Sequence, residues 1–223
     1  LQRIGINTGG YIMQTVYRYF QKLPFTFDQD KLEEALKQVL RIAPWPDNPK
    51  YKNQICLTRK KGVPTPDCYY EGTGGIYYLM KNGKEEARQQ DLDESDYSEF
   101  IHSFNHTYFK EIYELVDGYC MATYKRKMGR VRLNKSIPRT SLSWHRDPEP
   151  RIHIPIITDD GNMQIVEEEV LHMKVGEGWW ADTQNYHSQF NGSEVERVHL
   201  VAALYEWDNN QIQEDWTTGN DYY

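Results

Sequence analysis

After Gly118 the apolar residues stop recurring at helical spacing and fall instead into short runs, 131–134, 151–158, 163–166, 169–175, 178–181 and 197–205. Turn residues separate the runs: Thr158-Asp-Asp-Gly-Asn162 reads as a hairpin loop and Gly176-Glu-Gly178 as a tight turn. Short strands at intervals of about 8 to 12 residues close into a small antiparallel sandwich or barrel. No other pattern in the chain limits its fold as strongly. With 223 residues the chain has room for one domain with a core of its own, and needs no disulfide or structural metal.

Two helices precede that region. Leu32, Ala35, Leu36, Val39 and Leu40 recur at three and four between Phe27 and Ala43, with Asp28 or Asp30 placed to cap and Pro44 to close. Phe100, Ile101, Phe104, Tyr108, Ile112, Leu115 and Val116 predict a second, longer helix opened by Ser95 or Asp96 and ended near Gly118. Between them, Pro44 to Gln90 is rich in loops, with Tyr69-Tyr70 and Ile76 to Leu79 reading as strands. The expectation is a single domain over 1–223. In it, 1–120 form helical and loop-rich support and an aromatic lid over the barrel mouth, 121–207 the barrel with its chemistry, and 208–223 a tail.

The net charge of −7 argues against nucleic acid or an anionic membrane surface as the main partner. That average hides a split. Residues 123–151 hold nine Lys/Arg against two acids, whereas 152–223 hold only Lys174 and Arg197 against fourteen acids. Three cysteines without CxxC spacing indicate neither a disulfide framework nor a zinc knuckle, which fits a reducing, cytoplasmic setting. No apolar run approaches the roughly 18 residues of a membrane span. Met13, before a new apolar pattern, is a candidate native start. Oligomeric state is not legible.

The chemistry concentrates in the strand region. His145-Arg146-Asp147 is followed forty residues past Asp147 by His187. Two imidazoles and a carboxylate are the donor set of a non-haem Fe(II) centre, occupying one face of an octahedron. In an extended HxD the two side chains share a face, and a His from another strand can complete the set. Ten residues after His187, Arg197 opens the apolar strand Arg-Val-His-Leu-Val-Ala-Ala-Leu. An arginine on an inward face requires an anion, and a small-molecule carboxylate can pair with it bidentately.

The order His145-x-Asp147, Arg151-x-His153 in RIHIPI, Gly176-Glu177 before a Trp-rich strand, His187 and then Arg197 resembles the Fe(II)/2-oxoglutarate dioxygenases of the aspartyl/asparaginyl β-hydroxylase-like group. The resemblance spans roughly 130–207. It implies a double-stranded β-helix (jelly-roll, cupin-like) core, with iron on His145, Asp147 and His187. It also implies 2-oxoglutarate with its distal carboxylate on Arg197, and a pocket lined by Arg151 and His153. The chemistry implied consumes O2, releases succinate and CO2, and hydroxylates a small amino acid or a peptide or protein residue. Asp147 departs from the animal members, which lack the carboxylate ligand, and agrees with bacterial amino-acid hydroxylases.

Other residues read more plainly. The basic run Lys125 to Arg139 reads as a solvated face, although Arg132, Asn134 and Lys135 stand where they could hold an anionic cosubstrate. His199 reads as a core histidine and His172 as an outward one. His102 and His106, four apart on the long helix, lack a third ligand. Trp144, Trp179 and Trp180 read as core packing and Glu167-Glu-Glu169 as solvated. Two alternatives stay open: a cupin-like metal enzyme that does not use 2-oxoglutarate, which gives Arg197 no carboxylate, and a non-enzymatic β-barrel binding module.

Overall fold

The computed structural model describes residues 16–47, 53–73, 77–88 and 92–207. The expected start at Met13, Ile76 and the 208–223 tail lie outside them. In chain order the elements are β1 (Phe20–Thr26), α1 (Gln29–Ile42), β2 (Gln54–Cys56), β3 (Thr58–Arg59), β4 (Tyr77–Lys81), β5 (Lys84–Arg88), β6 (Glu99–Phe100) and α2 (Tyr108–Tyr124). There follow β7 (Arg126–Ser136), β8 (Thr140–Ser141), β9 (His145–Arg146), β10 (Arg151–Ile157) and β11 (Asn162–Val166). The last are β12 (Glu169–Leu171), β13 (Glu177–Ala181), β14 (His187–Asn191) and β15 (Arg197–Glu206).

Two antiparallel sheets face each other. The larger runs β1-β13-β10-β15-β7-β2 and the smaller β12-β11-β14-β9-β4-β5, with β8 also paired to β14. From β7 onward the chain steps between the sheets: β7 in the larger, β9 in the smaller, β10 back, β11 and β12 across, then β13, β14 and β15 in alternation. This winding is a double-stranded β-helix. The Thr158 to Asn162 segment is therefore a crossover between sheets and not the expected hairpin loop, because β10 pairs with β13 and β15 while β11 pairs with β12 and β14.

Period-two alternation divides the larger sheet into two faces. Ile152, Ile154 and Ile156 of β10, Val198, Leu200, Ala202 and Leu204 of β15, and Val131 and Leu133 of β7 join α1 and α2 in the main apolar core. Their odd-numbered or even-numbered neighbours point into the barrel. A smaller cluster of Tyr19, Phe20, Val166, Leu171, Met173, Trp179 and Ala181 packs apart from the main core.

Asp28 caps α1, accepting from the Lys31 N–H at 3.1 Å. The second helix starts at Tyr108 and not at Ser95. Phe100 lies instead in β6, Phe104 in a 3-10 turn over His102–Phe104, and Ile101 caps that turn between them. They are apolar because that segment is buried: Ile101 N–H donates to Leu57 O at 2.8 Å. His102 and His106 consequently precede the helix. Nor does Gly118 end it; α2 runs on to a left-handed Lys125, φ 57°. Tyr69-Tyr70 is not a strand: Asp67–Tyr69 form a 3-10 turn and Tyr70 caps it. Among the described residues no helix is long and apolar enough to cross a membrane.

Two further expectations change. The basic run is not a solvated face throughout: Arg130 and Arg132 alternate with Val131 and Leu133, so β7 turns them inward, each 2% exposed. Arg130 meets buried Glu94 in an ion pair, supplemented by a hydrogen bond from its N–H at 2.9 Å. The acidic Glu167 to Glu169 segment is not simply solvated either. Glu167 accepts from Tyr186 N–H at 2.9 Å, and Glu169 accepts from the N–H groups of Arg18 and Tyr19 at 2.7 and 2.9 Å.

Candidate metal centre

His145 and His187 face each other as cross-strand partners of β9 and β14, their ring centroids 4.3 Å apart. Asp147 lies just past β9, held there by its N–H, which donates to Thr183 O at 2.8 Å. One ligand atom from each of the three lies within 4.8 Å of the others. His187 Nε2 is 3.3 Å from Asp147 Oδ2 and His145 Nε2 is 3.9 Å from Asp147 Oδ1. Ligands on one octahedral face with bonds near 2.1 Å sit about 3 Å apart, so the donor set fits one small divalent ion.

The backbone fixes which nitrogens face inward. His145 Nδ1 lies 2.6 Å from Ser143 O and His187 Nδ1 lies 3.0 Å from Asn185 O. A carbonyl only accepts, so each Nδ1 carries the proton and each Nε2 presents a lone pair toward Asp147. Burial, and next the neighbouring His187, lower the pKa of His145, which keeps the ring neutral, the form that can bind a metal. For Asp147 burial works upward, but Arg151 and the two histidines outweigh it and hold the carboxyl well below the usual range. Arg151 Nε donates to Asp147 Oδ2 at 2.6 Å.

These residues open onto a cavity of about 540 Å³, which Arg132, Asn134, Arg151, His153 and Arg197 of the larger sheet also line. Every site residue predicted from the sequence thus stands on one cavity. Arg197 is 5% exposed, and among the described residues no carboxylate pairs with it. Its Nη2 lies 2.8 Å from His199 Nδ1, which must accept. Burial pushes Arg197 down to about 9, the cost of a guanidinium held without an anion. His153 is kept neutral by burial and by Arg197 and Arg151, and neither ring nitrogen has a hydrogen-bond partner. Asn134 Oδ1 is likewise buried without one.

His199 is buried behind Arg197 and has a polar contact to it, which goes beyond its reading as a core residue. Trp179 is buried, whereas Trp144 is 42% exposed and stacks on Tyr186, centroids 6.3 Å apart. The same Tyr186 donates to Glu85 at 2.7 Å and Arg146 grips Glu85 at 2.8 and 2.9 Å, tying the β4–β5 hairpin to β9 beside the centre. Sequence reasoning passed over Gln54, Gln164 and Gln189, which also line the cavity. Their signal was alternation: Gln164 and Gln189 are inward partners across β11 and β14, in register with the His187 side chain two residues before Gln189.

A family model for aspartyl/asparaginyl beta-hydroxylase matches residues 75–206. No curated protein matches the chain. Among solved structures it is similar to a viral collagen prolyl hydroxylase from Paramecium bursaria Chlorella virus-1, with 8% identity, 86% of this chain and 97% of that one covered, and a TM-score of 0.48. A Pseudomonas putida prolyl-4-hydroxylase gives 7% identity over 86% and 95% of the chains, again with a TM-score of 0.48. A 2OG-Fe(II) oxygenase family protein of Burkholderia pseudomallei gives 14% identity, covering 60% and 73%, at 0.42.

Proposed function

This chain belongs to the aspartyl/asparaginyl beta-hydroxylase family and is a 2-oxoglutarate-dependent hydroxylase; from that premise we propose that His145, Asp147 and His187 hold Fe(II) and that Arg197 binds the distal carboxylate of 2-oxoglutarate. The observation that carries this reading is the single cavity on which the three donors and the buried Arg197 converge. When bound, iron, 2-oxoglutarate and O2 together supply an oxidant that converts a substrate C–H to C–OH, with 2-oxoglutarate leaving as succinate and CO2.

The chain's own residues do the rest. Ser143 and Asn185 carbonyls hold the two imidazoles in the metal-binding tautomer, and Arg151 fixes the Asp147 carboxylate from behind. His199 orients the Arg197 guanidinium, leaving its other N–H groups for a carboxylate. Asn134 and His153 offer buried polar atoms on the same cavity as Arg197 and the metal donors. Arg197 favours this reading over a cupin-like enzyme without 2-oxoglutarate, since that alternative brings no carboxylate to its charge. The product is a hydroxylated small amino acid or a hydroxylated residue of a peptide or protein.

Turnover tests it. The purified protein supplied with Fe(II), 2-oxoglutarate and air is expected to release succinate in the presence of substrate candidates, and to stop when a chelator removes the metal. Succinate release that is indifferent to chelation, or none across a broad panel of amino acids and peptides, contradicts the reading.

A further inference from the structure

Two glutamines on the smaller sheet carry buried polar atoms with nothing to bond to. Gln189 of β14 and Gln164 of β11 are cross-strand partners, each 4% exposed, and both line the cavity that holds the metal donors. Among the described residues, Gln189 Nε2 and Gln164 Oε1 have no hydrogen-bond partner. A donor and an acceptor sealed from water in this way are destabilising until a ligand meets them. Apolar residues of similar volume would avoid that cost, so the two amides imply a polar group at their level in the barrel.

Strand register fixes that level. Along β14 the inward residues are His187, Gln189 and Asn191, and each two-residue step advances about 6.8 Å. Asn191 meets the end of β7, its Nδ2 donating to Ser136 O at 3.1 Å, and Ser136 is the register partner of Arg197. Two residues back along β7 stands Asn134, the register partner of His199, and the Arg197 guanidinium comes up to this row, its Nη2 2.8 Å from His199 Nδ1. Gln189 stands the same two residues back from Asn191, so it faces the guanidinium from the opposite wall, one step from the metal donor His187. A five-carbon 2-oxo diacid held at a metal by its keto-acid end spans only about 5 Å to its far carboxyl carbon, with C–C bonds of about 1.5 Å. That is within one step of the strand. The far carboxylate then has Arg197 on one side and Gln189 on the other, and its two oxygens have lone pairs for both.

We propose that Gln189 donates to the distal carboxylate of 2-oxoglutarate from the smaller sheet, opposite Arg197, so that the cosubstrate ties the two walls of the barrel together. Gln164 Oε1 accepts the second N–H of the same amide and turns it toward the ligand. This rests on the functional reading above. The grip is specific for a 2-oxo acid with a far carboxylate: it adds nothing for a ligand that ends in a methyl group.

The test titrates the Fe(II)-loaded protein under argon, reading the visible absorption band and the heat of binding, with no turnover involved. Two ligands are compared: 2-oxoglutarate, and 2-oxovalerate, which has the same carbon chain and keto-acid end but no far carboxylate. Gln189→Met keeps the length of the side chain and removes its donor. It is expected to weaken 2-oxoglutarate about 10-fold and 2-oxovalerate by less than about twofold, with Fe(II) affinity unchanged. Gln189→Glu sets an acid against the carboxylate and is expected to weaken 2-oxoglutarate about 100-fold; Gln164→Met, which only frees the amide to turn, about threefold. If Gln189→Met does not fold, the nearly isosteric Gln189→Glu carries the test. Either Gln189 variant binding 2-oxoglutarate like wild type overturns the proposal. So does a Gln189→Met protein that loses both ligands equally, because the amide then acts on the metal end or on the shape of the barrel. A wild-type protein that holds Fe(II) and binds no 2-oxoglutarate refutes instead the reading on which the proposal rests.

Discussion

The two faces of the larger sheet are built from the same strands and differ in nearly every physical respect. One residue of β10 or β15 joins the apolar core against α1 and α2; its neighbour points into the barrel as Arg151, His153, Arg197 or His199. Both sets are buried. The helix side needs only matched volume, whereas each inward group must find a hydrogen bond, an opposite charge or a ligand. The difference teaches that in this fold stability and chemistry alternate along a strand, residue by residue, and are separable by substitution.

The comparison breaks most sharply at the metal donors. Asp147→Ala removes a proposed ligand and the carboxylate that pairs with Arg151, and is expected to cut succinate release roughly a thousandfold or more, with Fe(II) affinity falling in parallel. Next is the buried ion pair of Glu94 and Arg130. Glu94→Gln leaves Arg130 without its anion and should cost about 3 to 5 kcal/mol by urea denaturation. Burial raises the Glu94 pKa, but Arg130 more than offsets it and holds the group below its ordinary 4.5. The stability it contributes is therefore full above that pH and lost as pH falls through its lowered value, so Glu94→Gln should flatten the acid limb of stability against pH.

Ile154→Ala probes the helix face alone. It opens a cavity at a fully buried position and should lower stability by about 3 kcal/mol, while 2-oxoglutarate affinity per folded molecule stays unchanged. A matching loss of affinity would show the two faces coupled. Arg197→Gln is the converse, with an expected loss of about 2 kcal/mol in 2-oxoglutarate binding by calorimetry and a smaller change in stability. Trp144→Ala, on the exposed outer surface, should move stability by no more than about 0.5 kcal/mol, since its stack on Tyr186 stays wet.

The sequence made the site more legible than its scaffold. His145, Asp147, His187 and Arg197 stand out because polar groups amid apolar strands require a reason, and their spacing carries the family resemblance. The fold class was legible from the runs after Gly118, and α1 from its apolar spacing and the Asp28 cap. Elsewhere local pattern misled. Phe100, Ile101 and Phe104 mimic helical spacing because a buried turn needs apolar residues at similar intervals. Gly118 suggested a helix end, but a side chain there would meet nothing within 4 Å, so the helix passes through it on an open side. Arg130 and Arg132 were obscured by the exposed bases around them; only their alternation with Val131 and Leu133 marks them as inward. The strand β14 was hidden because His187-Ser-Gln-Phe-Asn is polar along most of its length, its inward positions serving the cavity instead of an apolar core.

The most direct test of the central claim is a titration of the Fe(II)-loaded protein with 2-oxoglutarate under argon, followed by its weak visible charge-transfer band. The account predicts one 2-oxoglutarate per iron, no band in Asp147→Ala, and a titration displaced to roughly thirtyfold higher concentration in Arg197→Gln. A wild-type protein that holds iron yet develops no band, or an Arg197→Gln protein that titrates like wild type, contradicts it.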